Sequence, residues 1–238
     1  MREYGLTTLF LWGLVAMALA SHGHGRWLEG RVRVSTVTVY LAVLGVLSVA
    51  GTWLLGPSVL WRGDLAGLLL AVPAGALMAV LTWYADTALV RRLVKPKPRP
   101  ARTTTGRARP IGMAAAGKPA PRKVNQWRDG DRDAATKIGV GSLVTGAVLE
   151  EVVYRGVLVR IAFETPVWSA VVLIVLAVFA FALSHLPFGW PQAVAKLPLS
   201  VLAMVVTLAT GTLLAAVVGH VLFNLQVWRR YRRTGGAL

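Results

Sequence analysis

Residues 137–163 read KIGVGSLVTGAVLEEVVYRGVLVRIAF, an apolar run with two adjacent carboxylates, Glu150 and Glu151, at its middle. About 20 apolar residues at 1.5 Å each cross the ~30 Å hydrocarbon layer of a bilayer, so this run is long enough to be a span. An ionisable group at mid-membrane costs about 2.5–3.5 kcal/mol on insertion scales. Two carboxylates kept there therefore point to a function or to buried partners, and the rest of the chain must show whether the run lies in a membrane.

Composition says that it does. Hydrophobic residues make up 55% of the 238 residues, mean hydropathy is +0.60, and only 15% are charged. A soluble chain of this size cannot hide that much apolar surface in one core. The charges are gathered between long apolar runs, as in a multi-span membrane protein. The net charge of +16 would suit nucleic-acid binding, but most of it flanks apolar segments, where the positive-inside rule places it. No nucleic acid is expected as a partner. Cysteine is absent, which excludes disulfides, thiolate metal sites and a cysteine nucleophile.

Working outward, seven apolar segments are expected, at about 5–20, 35–55, 65–90, 137–163, 167–186, 193–209 and 211–228. The last two are joined by Thr210-Gly211-Thr212, a tight-turn signal. No clear small-x-small cleavage site precedes a mature polar domain after the first, and more spans follow, so it reads as an uncleaved helix rather than a signal peptide. With the N-terminus outside and the C-terminus cytoplasmic, the inside loops hold Arg26, Arg31, Arg33, the 91–135 linker, Lys196 and the tail Arg229, Arg230, Arg232 and Arg233. The outside loops hold Arg2 and Arg62. The expected fold class is thus an all-α membrane protein, a bundle of about seven transmembrane helices. Four regions are expected: N-terminal helices over 1–90, a basic linker over 91–135, a four-helix core over 136–228 and a basic tail over 229–238. The linker, with Lys95-Pro96-Lys97-Pro98-Arg99-Pro100 and more Pro, Ala and Gly, cannot bury a core and reads as a disordered tether near anionic lipid.

The polar groups inside the spans carry the chemistry. Glu151 and Arg155 are i and i+4 and can pair on one helix face. Glu150 is rotated by about 100° from Glu151. A carboxylate without a fixed cation in apolar surroundings has the profile of a general base or acid. In the structural alternative, both glutamates neutralise Arg155 and stitch the bundle. Phe181 and His185 share a face near the end of the fifth segment, where a histidine also serves as a simple hydrogen-bond donor. His220 and Asn224 share a face in the seventh; two such donors converging in a dry site form an oxyanion hole, or alternatively tie helices together.

In order, Glu150-Glu151-x-x-x-Arg155, Phe181-x-x-x-His185 and His220-x-x-x-Asn224, on successive apolar helices, resemble the CPBP family. This family includes type II CAAX prenyl endopeptidases and bacterial abortive-infection or bacteriocin-immunity membrane proteins. The resemblance covers about residues 137–228. It implies an intramembrane glutamic peptidase of a bacterial cell membrane, acting on a peptide or protein substrate at the bilayer. Glu150 with His185 would activate a water, His220 and Asn224 would stabilise the oxyanion, and Glu151, Arg155 and Phe181 would support them. It implies no cofactor. Zinc held by one glutamate and two histidines is the metal alternative, although no His-Glu-x-x-His motif is present. The rival functions are a non-catalytic immunity or regulatory protein and a proton or substrate transporter. The central depth of Glu150 and His220, against His185 near a span end, implies either a fifth helix that continues past Leu186 towards Trp190 or tilted helices around a water-filled cavity open to the cytoplasm, and we favour the cavity.

Overall fold

The computed structural model describes residues 36–93, 139–186 and 189–233, together with Gly13. The first expected segment and nearly all of the basic linker lie outside the described residues. The described residues are mostly helical. Helix α1 is Thr36–Leu55, followed by a 3-10 turn, Pro57–Val59, and α2, Leu65–Leu93. Helix α3, Val140–Glu151, runs without a break into a π-helical segment, Val152–Val157, and then α4, Leu158–Phe163. Helix α5 is Val167–Leu183, α6 is Trp190–Ala195, α7 is Leu197–Thr210 and α8 is Leu213–Arg233. The chain is an all-α membrane protein. Among the described residues, three helical stretches are long and apolar enough to cross a bilayer, Val37–Leu55, Leu65–Leu93 and Trp190–Thr210, and Val167–Leu183 is apolar but shorter. The outer surface is correspondingly greasy: Trp53, Val49, Leu69 and Trp168 are all exposed.

Three boundaries differ from the sequence expectation, each for a local reason. The sixth segment starts earlier and is broken at Lys196. Pro198 has no N–H to offer the Val194 carbonyl one turn back, and its ring clashes there, so α6 cannot run smoothly into α7. Helix α5 ends at Leu183, and His185 lies in the turn beyond it. Helix α8 continues through the arginines to Arg233, so the expected tail begins as helix.

Helix α7 stops at Gly211, whose φ of 66° lies in the left-handed region that a side chain disfavours. The Gly211 carbonyl then accepts from the N–H groups of Arg62 at 2.7 Å and Gly63 at 2.9 Å, which pins the Thr210–Thr212 turn to the loop before α2. From that pin α2 and α8 run parallel. Gly67 sits against Thr210, Gly75 against Ala215 and Gly219, and Met78 against Gly219. Small residues recur every fourth place along this face of α2, at Gly67, Ala71, Gly75 and Ala79, all buried. A Cβ on Gly219 would lie 2.8 Å from the Gly75 carbonyl oxygen. Such a stripe lets two backbones meet in lipid, where dispersion rather than water exclusion drives association. The core that results draws Leu44 from α1, Met78 from α2, Val153 and Tyr154 from the π segment, Phe181 from α5, Leu199 from α7 and Phe223 from α8. The N-terminal helices and the C-terminal ones therefore share one core.

Candidate functional site

The π segment places the first motif. It shifts the helix register so that the Leu158 N–H reaches the Val153 carbonyl, five residues back. π-bulges of this kind are frequent where helices carry function. At its start, Glu151 is fully buried and takes Arg155 Nη1 at 3.2 Å. Arg155, also fully buried, spends its other nitrogen Nη2 on Ser200 of α7, donating to Oγ at 2.9 Å and to the carbonyl at 3.1 Å. The Ser200 hydroxyl donates onward to the Val178 carbonyl of α5 at 2.9 Å. The guanidinium lies 4.3 Å above the Phe181 ring. One cation thus ties the π segment, α5 and α7 together, and its charge is met by Glu151 rather than by solvent.

His220 arrives from α8, 1% exposed, and meets both glutamates. Its Nδ1 is 2.7 Å from Glu151 Oε1, and its Nε2 is 3.6 Å from Glu150 Oε2. The two contacts fix the ring between the carboxylates, with Nδ1 turned to Glu151 and Nε2 to Glu150. Glu150, 7% exposed, accepts on its other oxygen from the Tyr40 hydroxyl of α1 at 2.5 Å. The rotation between the glutamates separates their partners in part: Glu151 faces the cation and His220 Nδ1, and Glu150 faces a phenol and the other imidazole edge. Glu151 Oε2 and Arg155 Nε have no hydrogen-bond partner among the described residues. Buried polar atoms left open are where ordered water or a ligand group is accepted.

His185 is half-buried beyond the end of α5. Its Nδ1 lies 3.1 Å from the Phe181 carbonyl and 3.2 Å from the Ser184 hydroxyl. The buried Phe181 ring contacts both histidines, with centroids 5.1 Å from His185 and 5.6 Å from His220. Asn224, one turn along α8 from His220, is half-buried. The three motifs therefore meet around Phe181. Among the described residues, Glu150 and His220 are buried, with Tyr40 of α1 on Glu150 and Ser200 of α7 on Arg155. Tyr40 and Ser200 were not singled out in the sequence. A tyrosine near a span end ordinarily signals an interfacial anchor, and a serine in a span is common glue, so neither residue type announces a site. Lys196, expected in a solvated inside loop, instead pairs with Asp86 of α2 at 2.9 Å and lies 4.5 Å over the Phe223 ring.

Residues 134–226 match the family described as type II CAAX prenyl endopeptidase Rce1-like. The match supports a CAAX protease-like family for this segment. The Rce1-like segment spans α3 to most of α8 and holds every residue of the three motifs, whereas Tyr40 lies outside it. No curated protein and no solved structure matches the chain. Among the described residues, no group of three or more His, Asp and Glu side chains is arranged to hold a metal ion. In this arrangement both ring nitrogens of His220 are turned to carboxylates.

Proposed function

We propose that this chain is an intramembrane endopeptidase in which Glu150 activates water without a metal. The observation that carries the reading is the unequal pairing of two adjacent buried glutamates: Glu151 is bound to Arg155 and to His220, while Glu150 meets, among the described residues, the Tyr40 hydroxyl and the imidazole edge. Glu150 is the general base. It takes a proton from a water also held by His185, and the oxygen attacks a peptide carbonyl. His220 Nε2–H and the Asn224 amide donate to the oxyanion, a role worth ~3 kcal/mol per donor in hydrolases. Protonated Glu150 then returns its proton to the leaving amine. The 3.6 Å gap between Glu150 Oε2 and His220 Nε2 is wider than a direct hydrogen bond. It lies between the base and the oxyanion donor, and it widens to admit the carbonyl. The substrate is a peptide segment of a membrane-associated or membrane-delivered protein, and the membrane is a bacterial plasma membrane.

The decisive experiment compares new N-termini in membranes of cells making the wild type, Glu150→Gln or Glu151→Gln. Cleavage events lost in Glu150→Gln, with its melting temperature unchanged, are the expected result, and they should persist in 1,10-phenanthroline. Undiminished cleavage by Glu150→Gln would sink the proposal. The second reading, a non-catalytic membrane immunity or regulatory protein, is favoured by one feature, the closed Arg155–Glu151–His220 cluster. It predicts no cleavage dependent on Glu150 and a loss of folding only in Glu151→Gln.

A further inference from the structure

The parallel ends of α2 and α8 enclose a second site, independent of the peptidase reading. A pocket of about 550 Å3 opens there between Trp83 and Tyr84 of α2 and Gln226, Arg229, Arg230 and Arg233 of α8. The apolar run of α8 ends at Trp228, so the pocket sits where hydrocarbon-facing residues give way to charge. Arg230 is held with its guanidinium 5.5 Å over the Trp83 ring, and Arg232 is held likewise over Trp228 at 5.1 Å. Arg229 and Arg233 are exposed. Among the described residues, no carboxylate lines the pocket. The nearest acid in sequence, Asp86, is committed to Lys196. The Gln226 side-chain oxygen is buried and has no hydrogen-bond partner among the described residues.

We infer that this pocket binds the headgroup of an anionic phospholipid, with its phosphate on the arginines and a headgroup hydroxyl on Gln226. Arginine is the side chain suited to phosphate, because its planar fork donates two parallel hydrogen bonds. A basic pocket between helices at headgroup depth, flanked by Trp and Tyr, supplies charge, depth and aromatic contact together. The unpartnered Gln226 oxygen adds a demand that phosphate, an acceptor, does not meet. A glycerol-type headgroup meets it with a hydroxyl donor. Free inorganic phosphate offers the same anion without the acyl chains that keep it at this depth.

The test is native mass spectrometry of the full-length protein in detergent, with phosphatidylglycerol or phosphatidylcholine added at equal concentration. The wild type should retain phosphatidylglycerol well above phosphatidylcholine. The variant Arg229→Ala/Arg233→Ala should lose it about thirtyfold, since each arginine near anionic lipid is worth roughly a fivefold change. The variant Arg229→Lys/Arg233→Lys should retain an intermediate amount and also reports on folding. Arg91→Ala/Arg92→Ala, which removes the same charge from the end of α2 outside the pocket, should change retention little. Equal losses in the two alanine pairs would mean diffuse attraction to a basic surface and would overturn the site. Displacement of bound lipid by inorganic phosphate in the low millimolar range would overturn the lipid assignment in favour of a free anion.

Discussion

Glu150 and Glu151 differ only in what surrounds them. Glu151 is enclosed with the Arg155 guanidinium and His220 Nδ1, so its charge is matched in place. Glu150 has one oxygen on the Tyr40 hydroxyl and the other facing His220 Nε2 across 3.6 Å. Hydrogen bonds to charged groups contribute about 1.5–3 kcal/mol. Tyr40→Phe removes one such bond while keeping the ring, so kcat should fall by about ten- to a hundredfold with KM and melting temperature nearly unchanged. An unaltered kcat would show that Tyr40 is only a lid over the carboxylate. The Glu151–Arg155 pair was legible in the sequence because i and i+4 neighbours are fixed by helix geometry alone. Tyr40 was not, because 110 residues separate it from Glu150, and no local spacing encodes such a contact.

At the scale of elements, the same chain uses three devices to hold the site. The end of α3 and the π segment that follows it present both glutamates and Arg155 to neighbouring helices, the Pro198 break places Lys196 against Asp86, and the small-residue stripe seats α8 on α2 so that His220 arrives at the motif helix. The stripe yields a contrast in sign. Ala ordinarily favours a helix over Gly by about 1 kcal/mol. A Cβ on Gly45 meets nothing within 4 Å, so Gly45→Ala should leave stability equal or slightly higher. A Cβ on Gly219 would press on the Gly75 carbonyl and on Met78 at 2.8 Å. Gly219→Ala should therefore destabilise by about 1–3 kcal/mol despite the better propensity, and should impair cleavage by moving His220. Thermal melts of both variants in one detergent check the prediction, and matching shifts would refute the packing argument. The expected Thr210–Thr212 turn was readable from its glycine, and the glycine does take the left-handed conformation. The recurrence of Gly67, Ala71, Gly75 and Ala79 was equally present in the sequence and carried a packing signal that hydropathy alone obscures.

For the whole molecule, the family match ends at residues 134–226, but the packing does not. Leu44, Met78 and Ala79 belong to the same core as Val153, Phe181 and Phe223, and α1 supplies Tyr40. A chain starting at residue 134 would expose the glycine face of α8 and leave Glu150 without its phenol. Such a truncation should be inserted but inactive and prone to aggregation, and co-expression of residues 1–93 should restore part of the cleavage. Full activity of the truncated chain would show that the N-terminal helices are accessory. The sequence by itself determined membrane residence, the helical class, the placement of most apolar segments and the Glu151–Arg155 pair. These follow from composition and from the 3.6-residue period, which act within one segment and need no knowledge of neighbours. Only the tertiary structure decided that His220 bridges the two glutamates, that Tyr40 meets Glu150 and that Ser200 meets Arg155. Those contacts join residues far apart in the chain, and in lipid they are set by close packing between helices rather than by any pattern along one of them.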